Sequence, residues 1–194
     1  MTAVQPRGAQ GHLLDAGKSN TLAGGASFSL RLRVTRIAFG LCWLLLARWT
    51  PPQMRAWRRF LLRCFGAQLA PGANVYSSVS IWYPPFLTMG EQAALGPRVR
   101  CYNQAPITLG DHAIVSQDST LCAGTHDYAD EHFQLITRPI TIGAHAWIAA
   151  EAFVGPGVRV GDHAILGARG VAMRDIPDAD IHGGNPARFI KKRY

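Results

Sequence analysis

The chain has 194 residues, about the length of one domain. Its 48% hydrophobic and 16% charged content excludes a disordered or low-complexity polymer, which buries too little apolar surface to offset its ordering entropy. The formal charge of +8 divides unevenly: residues 1–90 hold ten Lys/Arg and one acid, Asp15, for +9, whereas 91–194 hold ten Lys/Arg and eleven acids, for −1. Basicity confined to the front segment argues against a nucleic-acid partner, and no recognition motif accompanies it.

In chain order, residues 1–28 are polar and rich in Gly and Ala, lack the layout of a secretory signal, and are expected to form a disordered or extended tail. Cys42, Cys64, Cys101 and Cys122 are widely spaced with no CxxC pair, as expected of reduced thiols in a cytoplasmic protein. Residues 29–66 read as two helices interrupted at Thr50-Pro51-Pro52, because proline removes an amide donor and disfavours helix in the residue before it. The apolar run Ile37 to Ala47 is about half of the roughly 20 residues that cross a bilayer, and Arg36 and Arg48 fence it. The second helix, Gln53 to Phe65, spaces Trp57, Phe60, Leu61, Cys64 and Phe65 along one side, with Arg55, Arg58, Arg59 and Arg63 over the other. This basic amphipathic segment has two compatible readings. One is peripheral contact of residues 31–63 with an anionic membrane, on the inner face of the cytoplasmic membrane; the other is a cap on the rest of the domain.

Residues 67–176 carry a six-residue repeat. Ile142, Ile148, Val154, Val160, Leu166 and Ala172 recur at that spacing, a Gly or Ala follows almost every one, and Ala146, Ala152, Val158, Ala164 and Gly170 form a second small or apolar series. The frame extends upstream through Leu95, Cys101, Leu109, Val115 and Leu121, skips at Pro106, and breaks between Cys122 and Thr141. A period of six fits three-sided coils of short strands and tight turns, not a helix face of period 3.6. About five such coils are expected, each burying its interior against its neighbours.

The repeat, with WRRFLLRCFGA (57–67), CYNQAPITLG (101–110), IVSQDSTLCAGTHDY (114–128), AWIAAEAFVGPGV (146–158) and GGNPARFIKKR (183–193), resembles the hexapeptide-repeat acyltransferases, and among them the acetyltransferases of colanic acid and related exopolysaccharide biosynthesis. The resemblance implies an all-β solenoid: a left-handed parallel β-helix with N-terminal helices and a C-terminal helical tail over 177–194. It further implies an acetyl-CoA-dependent O-acetyltransferase acting on a sugar hydroxyl, assembled as a homotrimer and needing no metal.

The long excursion over 124–139 is where a stiff scaffold commonly carries function. Acetyl transfer to an alcohol requires removal of the hydroxyl proton, for which imidazole has suitable basicity, and the resemblance makes His126 the general base. Its orienting partner is Asp127 or a backbone carbonyl. The resemblance runs the cofactor past Trp147, the amide of Ala150, the main chain near Ala168, and Arg188 and Lys191 for the phosphates. Ala150 and Met173 stand where relatives often carry a hydroxyl, so side-chain help is absent there. Asn103 is read as binding the acceptor or as forming a turn, and Tyr83, with Trp82 and Phe86, as stacking on a sugar or packing inward. Cys122 reads as a packing residue, His112, His145 and His163 as repeated solvated corners, and His132 and His182 receive no role. Two alternatives are a zinc-dependent, carbonic-anhydrase-like hydratase, requiring three convergent histidines, and a non-catalytic membrane-associated scaffold.

Overall fold

The computed structural model describes residues 28–194, so the expected tail, apart from Phe28, lies outside the described residues. From Gln68 onward the chain winds as a left-handed parallel β-helix of triangular section. The first face is built from strands Gln68–Leu69, Leu87–Met89, Ile107–Leu109, Ile140–Ile142 and Arg159–Val160. The second face holds Asn74–Val75, Ala94–Leu95, Ile114–Val115, Trp147–Ile148 and Ile165–Leu166, and the third Ser80–Ile81, Arg100–Tyr102, Thr120–Cys122, Phe153–Val154 and Val171–Ala172. Five coils are complete, and a sixth begins where Ile176 bridges Val160 and Asp180–Gly183 pairs with Ile165–Leu166.

The repeat is the core. Leu69, Met89, Leu109, Ile142 and Val160 stack in register inside the first face, Val75, Leu95, Val115, Ile148 and Leu166 inside the second, and Ile81, Cys101, Leu121, Val154 and Ala172 inside the third. All are buried. Each side chain meets its equivalents about 4.8 Å above and below, so the interior is closed only by stacking.

Helices α1 (Leu30–Leu46) and α2 (Arg55–Cys64) precede the prism, separated by Pro51 and Pro52 as expected. Ser29 caps α1 by accepting from the Leu32 amide, while Leu32, Phe39 and Trp43 are buried. The expected faces of α2 need correction: Arg58 is buried with Leu61 and Leu62, whereas Phe60 and Cys64 are exposed. The reason is the open edge of the first coil, whose carbonyls require donors. Arg58 Nε donates to Val75 O at 2.7 Å, Arg59 Nη1 to Ala73 O at 3.0 Å and Arg63 Nε to Leu69 O at 3.0 Å. α2 is therefore a cap whose arginines complete the sheet edges.

The C-terminal tail is also corrected: it is a strand pair rather than a helix. Asp180–Gly183 extends the second face, and Arg188–Lys192 returns antiparallel to it. Gly184, at φ +91°, and Pro186 reverse the chain between them, and the second face offers an unpaired edge that an extended segment can satisfy.

Candidate active site

Three irregular segments stack at one corner of the prism, where the third face passes to the first: Trp82 to Phe86, Asn103 to Pro106, and the excursion over 124–139. The last is a hairpin, Gly124–His126 against Leu135–Thr137, with His126 paired to Leu135. The His126 ring is held within this hairpin, Nδ1 lying 2.7 Å from Phe133 O. A carbonyl only accepts, so the proton is on Nδ1 and Nε2 carries the free lone pair. Phe133 adopts φ +50°, a conformation that costs a non-glycine residue about 1–3 kcal/mol, and its amide bonds Asp130 O. Of the two partners expected for His126, the backbone carbonyl is the one present. Asp127 Oδ1 instead accepts from the Ala129 amide and shapes the turn.

Asn103 is fully buried at the base of this corner. Its Oδ1 accepts from the Trp82 and Tyr83 amides at 3.1 and 3.0 Å, and Nδ2 donates to Tyr83 O at 2.7 Å, so the side chain ties one irregular segment to the next. The Tyr83 ring packs edge-on against Phe86 and Trp82. Gly124 starts the hairpin against the buried Gln104 side chain, and a Cβ there would fall 2.0 Å from Gln104 Oε1. Cys122 Sγ donates to Gly124 O at 3.2 Å, a contact that packs the hairpin root.

The residues expected along the cofactor lie together on the second face and its edge. Trp147 is 44% exposed, with Nε1 donating to Ser116 Oγ at 2.9 Å. Ala150 and Ala168 occupy the next corner one coil apart, linked by the Arg169 amide to Ala150 O at 2.9 Å. Their own amides have no hydrogen-bond partner among the described residues. Arg188 and Lys191 are exposed on the C-terminal strand. The row Trp147, Ile165, Ile181, Lys191 runs straight across the face, about 14 Å at three strand spacings. Asp180, whose carboxyl the Lys192 ammonium holds below its usual range, anchors that strand, with His182 Nε2 3.6 Å from the same carboxyl group.

The remaining histidines fall elsewhere. His112, His145 and His163 stack at 4.8 Å centroid spacing on the corner between the first and second faces, with Tyr194 against the end of the ladder. They do not converge with His126, and no three metal-ligating side chains come together among the described residues. His132 is paired with Glu131 on the hairpin tip. Sequence reasoning missed Ser119, which is fully buried, donates to Ala149 O at 2.8 Å and accepts from the Ala152 amide at 3.3 Å, bracing the turn that holds Ala150. Its signal was a hydroxyl at an inward position of the repeat that is elsewhere small or apolar.

No family model matches the chain. It is 42% identical over 145 residues to a protein of Escherichia coli K12 named for colanic acid biosynthesis as the acetyltransferase WcaF, a match spanning 75% of this chain and 80% of that one. The chain belongs to the colanic acid biosynthesis acetyltransferase family. A more distant relative of this acetyltransferase is the galactoside O-acetyltransferase of the same organism, 26% identical over 138 residues, 70% of this chain and 68% of that one. Among solved structures, galactoside acetyltransferase in complex with coenzyme A superposes with a TM-score of 0.78 at 22% identity, covering 88% of this chain and 86% of that one. A hexapeptide-repeat acetyltransferase of Vibrio cholerae complexed with acetyl-coenzyme A gives 0.77 at 24% identity, over 86% and 91% of the two chains. These structural likenesses carry the fold, and the E. coli relative carries the family.

Proposed function

We propose that this acetyltransferase uses acetyl-CoA to O-acetylate a sugar hydroxyl of an exopolysaccharide or its lipid-linked precursor, with His126 as general base. The observation that carries the reading is the 2.7 Å bond from Nδ1 to Phe133 O, which puts a proton on Nδ1 and, in the neutral ring, leaves the lone pair on Nε2. The acceptor oxygen attacks the thioester carbonyl as Nε2 takes its proton. The tetrahedral adduct then expels the coenzyme A thiolate, which recovers the proton from the imidazolium, so no acyl-enzyme forms. The unpartnered Ala150 amide is the donor we assign to the developing oxyanion. Trp147 borders the pantetheine arm, Ala168 offers main-chain hydrogen bonds, and Arg188 and Lys191 meet the phosphates.

The acceptor is read at the His126 corner, where Tyr83 and Asp127 flank the base and Asn103 holds the Tyr83 segment in place. A homotrimer is part of the same reading: His126 and Ala150 stand at different corners of one prism, so base and oxyanion donor meet across a seam between neighbouring protomers. So is a cytoplasmic protein in peripheral contact with anionic membrane through residues 31–63. No helix of the described residues is long and apolar enough to cross a membrane.

The test is His126→Ala, assayed by thiol release from acetyl-CoA with candidate sugars. Turnover should fall by about 100-fold to 10,000-fold, the scale of a lost general base. The exposed ring contributes little to packing, so unfolding and cofactor binding should stay near wild type. Undiminished acetyl transfer would remove His126 from the mechanism.

A further inference from the structure

Gln104 is 3% exposed beneath the root of the hairpin that carries His126, and no step of the mechanism above uses it. Its Oε1 is buried with no hydrogen-bond partner among the described residues. Such an oxygen is costly to fold, because it gives up water and gains no donor. The three heavy atoms nearest to a Cβ built at Gly124 all belong to Gln104: Oε1 at 2.0 Å, Cδ at 3.1 Å and Cβ at 3.6 Å. A glycine there turns its second α hydrogen toward Oε1 instead, a weak C–H···O contact. Gly124 does not have a positive φ, so its backbone suits any L residue and the neighbour alone demands glycine. Buried as it is, the Gln104 side chain has no free volume into which to retreat.

The segment that holds Gln104 and the hairpin share one anchor. Tyr102 O accepts from the Gln104 amide at 3.1 Å and from the Ala123 amide at 3.0 Å, and the returning strand is closed by the Arg138 amide on Ala123 O at 2.9 Å. Within the hairpin the His126 ring is tied to Phe133 O, so the ring moves with the hairpin as a unit. Gly124 precedes His126 by two residues, about 7 Å of strand, and a tilt at the root is carried along that lever to the imidazole. We propose that Gln104 is a positioning residue: its contact with Gly124 sets the tilt of the hairpin, and with it the place of His126 Nε2 relative to the reacting hydroxyl. The proposal rests on the reading of His126 as general base.

Compensating variants test it. Gly124→Ala drives a methyl against the Gln104 amide, Gln104→Ala removes the stop, and the double variant gives the methyl room. With acetyl-CoA and methyl galactoside, kcat should fall about 10-fold to 100-fold in Gly124→Ala, the scale of moving a reacting group by up to about 1 Å. Gln104→Ala should lose about 10-fold, and Gln104→Ala/Gly124→Ala should return to within about three-fold of wild type. The acid limb of the pH profile should keep its midpoint throughout, because the bond from Nδ1 to Phe133 O lies inside the hairpin. Hydrogen exchange reads the tilt without an acceptor, and decides alone where the galactoside is not turned over. The Arg138 amide at the root should exchange about ten-fold faster or more in Gly124→Ala and regain protection in the double variant. The Asp127 amide, bonded to Gln134 O at 2.8 Å within the hairpin, should keep its rate. Wild-type kcat in either single variant, an unchanged Arg138 amide in Gly124→Ala, or a double variant no better than Gly124→Ala would each overturn the proposal. Turnover that survives His126→Ala removes the general-base reading, whereas turnover lost in His126→Ala but kept in Gly124→Ala and Gln104→Ala sinks the positioning role alone.

Discussion

Asn103 and His126 are alike in sequence, each a polar residue at a break in the repeat, yet their surroundings differ completely. His126 is exposed with one ring nitrogen bonded, whereas Asn103 is fully buried with both ends of its amide engaged by Trp82 and Tyr83. Asn103→Ala leaves two amides and a carbonyl unpaired and should cost about 2–3 kcal/mol of unfolding free energy, measured by urea denaturation. Asn103→Asp keeps the acceptor but sets a second oxygen against the Tyr83 carbonyl in a buried site, so it should not restore the wild-type midpoint. A wild-type midpoint for Asn103→Ala would mean that water replaces the side chain, and the bracing role would fall. Cysteine chemistry follows the same logic: burial pushes the Cys101 thiol up to about 12, so it stays protonated and inert at neutral pH, whereas Cys64 is exposed.

At the scale of elements, α1 is the segment whose surroundings remain open. Its inward side holds Leu32, Phe39 and Trp43, but Val34, Leu41 and Leu45 are 55%, 55% and 69% exposed on the opposite side, with Trp49 exposed just beyond the helix end. Membrane contact, if made through residues 31–63, falls to this side of α1, because Arg58, Arg59 and Arg63 of α2 are bonded to the prism. Flotation with vesicles containing phosphatidylglycerol should recover the wild-type protein and lose it in Val34→Gln/Leu41→Gln/Leu45→Gln. Recovery of both would dismiss the membrane role of α1. The first helix was legible because the proline break that ends it is local; the rotation of α2 was not, since the carbonyls that draw Arg58 inward belong to the first coil. The C-terminal strands were misread for the same reason. Their conformation is set by the open edge of the second face, which no window over 177–194 contains.

For the molecule as a whole, the division of charge acquires a structural account. Carbonyls at the front edge are met by Arg58, Arg59, Arg63 and the Trp43 indole, and amides at the back edge are met by Asp175 and Asp178, which accept from Arg159 and Asp162. Arg58 also reaches Thr50 Oγ1, Pro51 O and Pro52 O, joining the proline break, α2 and the prism. Arg58→Met should destabilise by about 3 kcal/mol in a denaturant titration, and Arg58→Lys should recover only part of it, because an ammonium cannot serve that spread of carbonyls. Retained stability in Arg58→Met would show that the cap holds by apolar packing alone. The prism itself was written in the sequence: a strict six-residue frame of aliphatic and small residues leaves a stacked three-sided coil as the way to bury every repeat. The hairpin and its histidine were visible as an interruption of that frame. Which carbonyl orients His126 and which arginines face inward depended on contacts between segments far apart in the chain, where hydrogen-bond satisfaction and packing outweigh local pattern.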